Sequence, residues 1–306
     1  MVERTPILDT LTYLFLMIGI CIVGFPIFYT FVAASLPLEE VSKVPMPLIP
    51  GDQFWVNVNT AWEKGNLGRQ LMNSFIMASG ITVGKIVVSM IGAFSIVYFD
   101  YRLRQVAFVT VFCTLMLPVE VRILPTYEIA ANIFGPLQWL IDTLHLNTLF
   151  QWWMGNDFKI SLEWSLLDSY TGLILPLVAS ATCTFLFRQF FLTVPEELCE
   201  AAKLDGASAM IFFRKILLPL SKTNIAALVV IEFVYGWNQY LWPLLITTDP
   251  DMTTAVIGLK NLIPQVDDIP YWNVAMAGSL LVMAPPILVV LFMQRWFVKG
   301  LVEREK

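Results

Sequence analysis

Six stretches of this chain, residues 11–34, 71–99, 105–124, 173–192, 225–246 and 274–297, run for about 20 residues or more with a predominantly apolar composition. A bilayer's hydrocarbon core is about 30 Å thick and a helix rises about 1.5 Å per residue, so each stretch is long enough to cross it. The fold class expected is all-α: a polytopic membrane protein of six transmembrane helices, forming one membrane domain over residues 1–306. Composition agrees. Hydrophobic residues make up 57% of the 306 and charged residues 14%, against about 45–50% and about 25% in soluble domains.

Orientation is read from where Lys and Arg fall, not from the net charge of −5. Arg4, Arg102, Arg104, Lys203, Arg214, Lys215, Lys222, Arg295, Lys299, Arg304 and Lys306 lie at the two termini and in the second and fourth loops. Six spans put all of these on one side, so both termini are expected in the cytoplasm. The opposite loops hold fewer basic residues (Lys43, Lys64, Arg69, Lys159, Lys260) and more acids, among them Asp249, Asp251, Asp267 and Asp268. Val32-Ala33-Ala34 offers a signal-peptide cleavage site as the competing reading of the first span, but the apolar run exceeds the roughly 7–15 residues of a signal sequence. Cys21, Cys113, Cys183 and Cys199 show neither metal spacing nor a disulfide arrangement.

The first external loop is rich in Pro and Gly and leaves room for one short helix around residues 54–62. The second, residues 125–172, is long. Gly135-Pro136 is followed there by Leu137, Leu140, Ile141 and Leu144 at helical spacing, near Trp139, Trp152 and Trp153. That pattern predicts an interfacial periplasmic helix. A seventh span is the rival, interrupted by Asp142, His145, Gln151, Asn156 and Asp157.

Nothing points to catalysis by this chain. Its one histidine, His145, has no ligand set around it. Gly80, Gly84 and Lys85 mimic a phosphate-binding loop, but three residues separate the glycines where four are needed, and Ile86 stands where Ser or Thr belongs. No metal, cofactor or nucleic-acid contact is expected, and any ATP chemistry belongs to another subunit.

Between the fourth and fifth spans lies a polar island. Thr193 and Glu196 have capping-box spacing, and Pro195, Glu196 and Glu197 suit a first helical turn. The helix is expected to end near Leu204, with Asp205-Gly206 turning the chain. A second helix with Phe212, Phe213 and Ile216 on its apolar face then runs until Pro219 ends it. The result is a helix-turn-helix knob over residues 193–221, whose aromatic residues read as a partner surface.

Glu200-Ala201-Ala202, Asp205-Gly206-Ala207 and Ile216-Leu217-Leu218-Pro219 together resemble the EAA loop of permease subunits of bacterial ATP-binding-cassette importers. The runs Thr114 to Arg122, Phe185 to Phe191 and Tyr235 to Leu245 resemble the carbohydrate-type branch of that family. The segment 133–167 is longer than the permease of that branch that the chain most resembles usually shows there. The resemblance implies a coupling helix docked on an ATPase, with Glu200, Ala201, Ala202, Asp205, Gly206, Ala207, Phe213, Ile216 and Pro219 as coupling residues. Glu200 would be the acidic contact and Gly206 the turn. It implies as partners a second homologous permease, two ATPase subunits, a periplasmic binding protein and the lipid of a bacterial inner membrane. The implied cargo is sn-glycerol-3-phosphate, with glycerophosphodiesters or a sugar as alternatives; a secondary transporter is the reading from another class.

Polar groups in apolar spans need a reason, because an intramembrane charge costs at least about 2.5–3.5 kcal/mol. Glu232, Asn238 and Gln239 in the fifth span, Lys85 in the second and Arg188 in the fourth are candidates for a translocation path or for interhelical bonds. Arg122 is a candidate phosphate ligand, since a guanidinium matches phosphate oxygens bidentately; pairing with Glu120 or Glu128 is the alternative.

Overall fold

A computed structural model describes residues 6–114, 119–154, 160–263 and 270–302. Arg4, Asn156, Asp157, Lys159, Asp267, Asp268, Arg304 and Lys306 lie outside the described residues, as do the side chains of Glu120, Trp152, Arg295 and Lys299. The described residues form helices and connecting turns, with no strand among them. In chain order the helices are α1 (Pro6–Ser35), α2 (Leu38–Val41), α3 (Phe54–Lys64), α4 (Leu67–Tyr98), α5 (Arg104–Cys113), α6 (Val119–Ala131), α7 (Gly135–Thr143), α8 (Leu146–Met154) and α9 (Tyr170–Ile174). They continue as α10 (Ala181–Phe191), α11 (Glu196–Leu204), α12 (Ala209–Phe212), α13 (Leu218–Leu220), α14 (Lys222–Trp237), α15 (Leu241–Ile246), α16 (Ala255–Asn261) and α17 (Trp272–Val302).

Among the described residues α1, α4 and α17 are each long and apolar enough to cross a membrane alone, and two bent helix pairs raise the number to five. The other expected spans are interrupted. Stretch 105–124 holds the ten-residue α5 and the start of α6, with residues 115–118 undescribed between them. Stretch 173–192 is α9 and a 3₁₀ turn over Leu175–Leu177, then α10 at 49° to them. Stretch 225–246 is α14, which stops at Trp237, and α15 after a short link. Hydropathy does not register the break in stretch 173–192, because Leu175-Pro176-Leu177 is as apolar as the helices beside it, whereas the break in stretch 225–246 falls at the polar Asn238-Gln239-Tyr240.

The chain divides into two compact units. The first comprises residues 1–71 and 255–285. Here buried Asn57 donates to the carbonyls of Ala34 (2.9 Å) and Leu36 (3.0 Å), while Asn273 donates to its Oδ1 at 2.8 Å. These bonds fix the end of α1 on α3. The rest of α1, from Pro6 to Phe31, carries exposed or half-exposed residues throughout.

The second unit comprises residues 72–254 and 286–306. Gly80 and Gly84 sit one helical turn apart on α4; a Cβ on Gly80 would fall 2.5 Å from Ile174 Cδ1, and one on Gly84 2.6 Å from Val178 Cγ2. The pair that mimics a phosphate loop is thus a small-xxx-small contact that admits the interrupted α9–α10 segment. Buried Asn73 donates to the carbonyls of Asp251 (2.8 Å) and Thr253 (2.9 Å) and accepts from the Tyr170 hydroxyl at 2.7 Å. Asp168 accepts from the amides of Thr248 and Asp249 and from the Thr248 hydroxyl, which hold its carboxyl below the ordinary carboxylate range.

The long segment forms α7 and α8, nine residues each, too short to span. His145 joins them at φ 51° with its amide on the Asp142 carbonyl, a turn residue. The amides of Gln138 and Asn147 both bond Asp142 and residue 160, tying the returning strand of chain to the helix pair.

Candidate functional site

The knob forms directly after α10. Thr193 does not cap it: the Thr193 hydroxyl turns back to the Phe190 carbonyl at 2.7 Å, and Pro195 takes the N-cap position with no side-chain cap bond. The expected capping box is therefore absent. Proline's fixed φ starts the helix instead, and Glu196 and Glu197 lie in the first turn, favourable at a helix N-terminus.

α11 ends at Leu204 as the spacing predicts. Gly206 adopts φ +72°, its amide donates to the Lys203 carbonyl at 3.0 Å, and the Ala207 amide donates to the Ala202 carbonyl at 2.9 Å. This pair of bonds is a Schellman cap, and half-buried Ala207 packs on the cluster containing buried Ala202. A Cβ on Gly206 would meet nothing within 4 Å, so the requirement for glycine there is conformational. Gly206→Ala is expected to destabilise the turn by about 1–2 kcal/mol, and Gly206→Asn by less. Amide exchange at Ala207 measures this; unchanged protection in Gly206→Ala would refute the assignment.

Ser208 then caps the next helix, its Oγ accepting from the Ile211 amide at 3.4 Å. α12 passes into a π-helical turn over Phe213–Leu217 before α13. That wider turn lies just ahead of Pro219, whose ring would otherwise meet the carbonyl of Lys215. Pro219 does not end the helix but sits in its last turn, and the chain bends by 72° at Ser221 into α14.

The aromatic residues of the knob face inward. Phe212 is 4% exposed and lies edge-on to Tyr98 at 5.2 Å, while Phe213 packs on Phe94 at 5.0 Å. Together with Phe187, Phe191 and Leu217 they form one buried cluster. Reading them as a partner surface is corrected by this burial: they fasten the knob to α4 and α10, and Ile216 is half-buried against the same cluster. Glu200, Ala201, Asp205 and Pro219 face outward. So do Leu204, 89% exposed, Met210 and Ile211, which the sequence reading missed. Leu204 stands four residues after Glu200 and so shares its helix face, a signal already present in the spacing.

A second feature lies where the fourth and fifth expected spans are broken. A cavity of about 320 Å³ is lined by Arg122, Ile123 and Thr126 of α6, Pro176 and Leu177 of the 3₁₀ turn, Tyr235 of α14, Gln239 and Tyr240 of the link, and Leu241 and Trp242 of α15. Trp242 is fixed by its indole N–H on the Gly172 carbonyl at 3.1 Å, and Gln239 by its amide on the Tyr235 carbonyl at 3.2 Å. Arg122 is exposed at the cavity edge, and none of the described carboxylates, Glu128 included, forms an ion pair with it.

Of the six candidates, Arg122 and Gln239 therefore meet in one cavity. Asn238 is the exposed C-cap of α14 and does not line it. Glu232 is 5% exposed and accepts from Lys85 Nζ at 2.7 Å and from the Cys183 thiol at 2.9 Å. Lys85 Nζ also stands 3.6 Å above the ring of Tyr235. That ring lies against the ion pair and also lines the cavity. Among the described residues no cluster of His, Cys, Asp or Glu could hold a metal ion.

Residues 85–303 match a family described as the binding-protein-dependent transport system inner membrane component. The chain is 50% identical over 312 residues to the sn-glycerol-3-phosphate transport system permease protein UgpE of Yersinia pestis, with 100% of both chains covered. Identity and coverage are the same for the protein of that name in Pectobacterium atrosepticum, and 49% over 313 residues, again with full coverage, for that in Rhizobium meliloti.

Proposed function

The chain belongs to the binding-protein-dependent transport system inner membrane component family, and on that premise we propose that it is a permease subunit of an ATP-driven importer of sn-glycerol-3-phosphate. The observation that carries this reading is full-length identity of about half to permeases bearing that name. In this reading the chain crosses the bacterial inner membrane six times with both termini in the cytoplasm. It pairs with a second permease, receives cargo from a periplasmic binding protein, and couples through residues 193–221 to two ATPase subunits that carry out the hydrolysis. Arg102, Arg104, Lys203, Arg214, Lys215 and Lys222 cluster in the loops assigned to the cytoplasm, which supports that orientation.

The cavity supports a path for a small phosphate ester. Non-helical backbone at membrane depth is tolerated where it lines a cavity, and the link at 238–240 contributes Gln239 and Tyr240 to the lining. In this reading Arg122 grips the phosphate oxygens while Gln239 and the tyrosine hydroxyls meet the glycerol end. Coupling is mechanical: ATP binding moves the ATPases, the knob follows, and its aromatic cluster passes the displacement to α4 and α10, so cargo binding and ATP bias the same two states.

Arg122→Ala is expected to lower uptake of labelled glycerol-3-phosphate at limiting substrate by about 10–100-fold, the size of a lost charge-assisted phosphate contact, and Arg122→Lys by less. Proteoliposomes holding the reconstituted importer measure it. Uptake equal to the parent protein's in Arg122→Ala would remove Arg122 from the path, and absence of glycerol-3-phosphate uptake by the parent would remove the cargo assignment.

A further inference from the structure

The second unit, which carries the knob, holds another cavity, of about 220 Å³, between α4, α5 and α10. Its lining includes Arg104, Gln105 and Phe108 of α5, Arg188 and Leu192 at the end of α10, and Val97 of α4. Two guanidinium groups share this space, and among the described residues no carboxylate lines it. The Arg188 guanidinium lies 4.1 Å from the centroid of the Phe108 ring, which fixes its plane. Its Nε is buried and has no hydrogen-bond partner. Arg104 has a single ion-pair contact, 3.4 Å to an Asp100 side chain that is 93% exposed, so solvent competes effectively for that carboxylate.

Two guanidinium groups lining one cavity make it favourable for an anionic group. Planar, bidentate forks of this kind suit phosphate oxygens better than a point anion. The surroundings are apolar: the helix that supplies Arg104 and Phe108 exposes Val106, Val109 and Phe112. We propose that this cavity binds the phosphate group of an anionic phospholipid, with Arg188 and Arg104 holding the phosphate and the acyl chains lying along the exposed face of α5. Basic residues at the membrane surface attract anionic lipids, and here the ring of Phe108 and the wall of α4 turn that general attraction into a defined seat. Bound lipid would brace α5 against the α10 turn from which the knob emerges.

The test is native mass spectrometry of the full-length protein purified from membranes and exchanged into detergent with either phosphatidylglycerol or phosphatidylethanolamine. The parent protein is expected to retain phosphatidylglycerol preferentially. Arg188→Gln and Arg104→Gln should each weaken phosphatidylglycerol retention about tenfold, as for one lost charge-assisted bond, and the preference over phosphatidylethanolamine should fall with it. Arg104 is partly exposed, so its replacement reads binding even where Arg188→Gln disturbs folding. Equal phosphatidylglycerol retention by parent and variants would overturn the proposal. Displacement of the lipid from the parent protein by soluble glycerol phosphate, lost in the same variants, would assign the cavity to a solute and overturn the lipid. Neither uptake nor ATP hydrolysis is read, so failure here is distinguishable from failure of the importer reading.

Discussion

Glu232→Ala, with Lys85 left in place, is expected to cost about 3–5 kcal/mol of folding stability. The two side chains are each only 7% exposed and meet at 2.7 Å. Removing the carboxylate leaves an ammonium with the face of Tyr235 as its remaining described contact, worth about 2 kcal/mol when desolvated. Replacing both partners, Lys85→Met with Glu232→Leu, should restore most of the loss, because a buried ion pair exchanged for apolar groups of similar volume is often neutral. Thermal unfolding in detergent of the parent, the single variant and the double variant decides the matter. A single variant as stable as the parent would mean that water or another group reaches the pair. The pair joins α4 to α14, and Gly236 crosses α4 so closely that a Cβ there would lie 3.0 Å from Ala78 Cα. The same crossing therefore carries both a charge contact and a backbone contact.

The outward face of the knob should show the second large effect. Glu200→Ala combined with Leu204→Asp is expected to reduce ATP-driven uptake by about a hundredfold or more while the subunit keeps its fold. Neither side chain supports the interior: Glu200 is exposed and Leu204 is 89% exposed. A large apolar side chain so placed beside an acid on a short helix is what a docking partner buries, and full burial of a leucine side chain is worth about 1.5–3 kcal/mol. Uptake and co-purification of the ATPase should fall together. Undiminished uptake would sink the assignment of this face. Phe212→Ala separates anchoring from docking: it should loosen the knob, with a cost of about 3–5 kcal/mol typical of a buried aromatic truncated in a core, while leaving the outward face chemically intact.

What could be read from the chain divides along the range of the interactions. The Asp205-Gly206-Ala207 turn was legible because a positive φ is a local demand that glycine meets, and the α7 start was legible from Gly135-Pro136. Thr193 misled because capping-box spacing cannot reveal that the hydroxyl finds the Phe190 carbonyl first. The aromatic residues of the knob misled for another reason. Apolar periodicity marks a face without saying whether protein or solvent lies opposite, and only the approach of Tyr98 and Phe94 decides that. Lys85 and Glu232 are 147 positions apart, so two separate intramembrane charges in sequence become one neutral pair only in the fold. Arg122 and Gln239 were each suspected, but a proline-broken helix from a third segment was needed to bring them to one space.

The bare length of α1 has a different consequence, for tolerance to mutation. Its membrane-length window has none of its residues buried against the rest of the chain, whereas Met77 and Ile81 in α4 are at most 1% exposed. Substitution among Leu, Ile, Val and Phe along residues 7–28 changes no internal packing, so this helix can drift through apolar alphabets that α4 must refuse. Two membrane-length helices of one chain are thus constrained differently: α4 is held to a shape, α1 within this chain only to an oiliness.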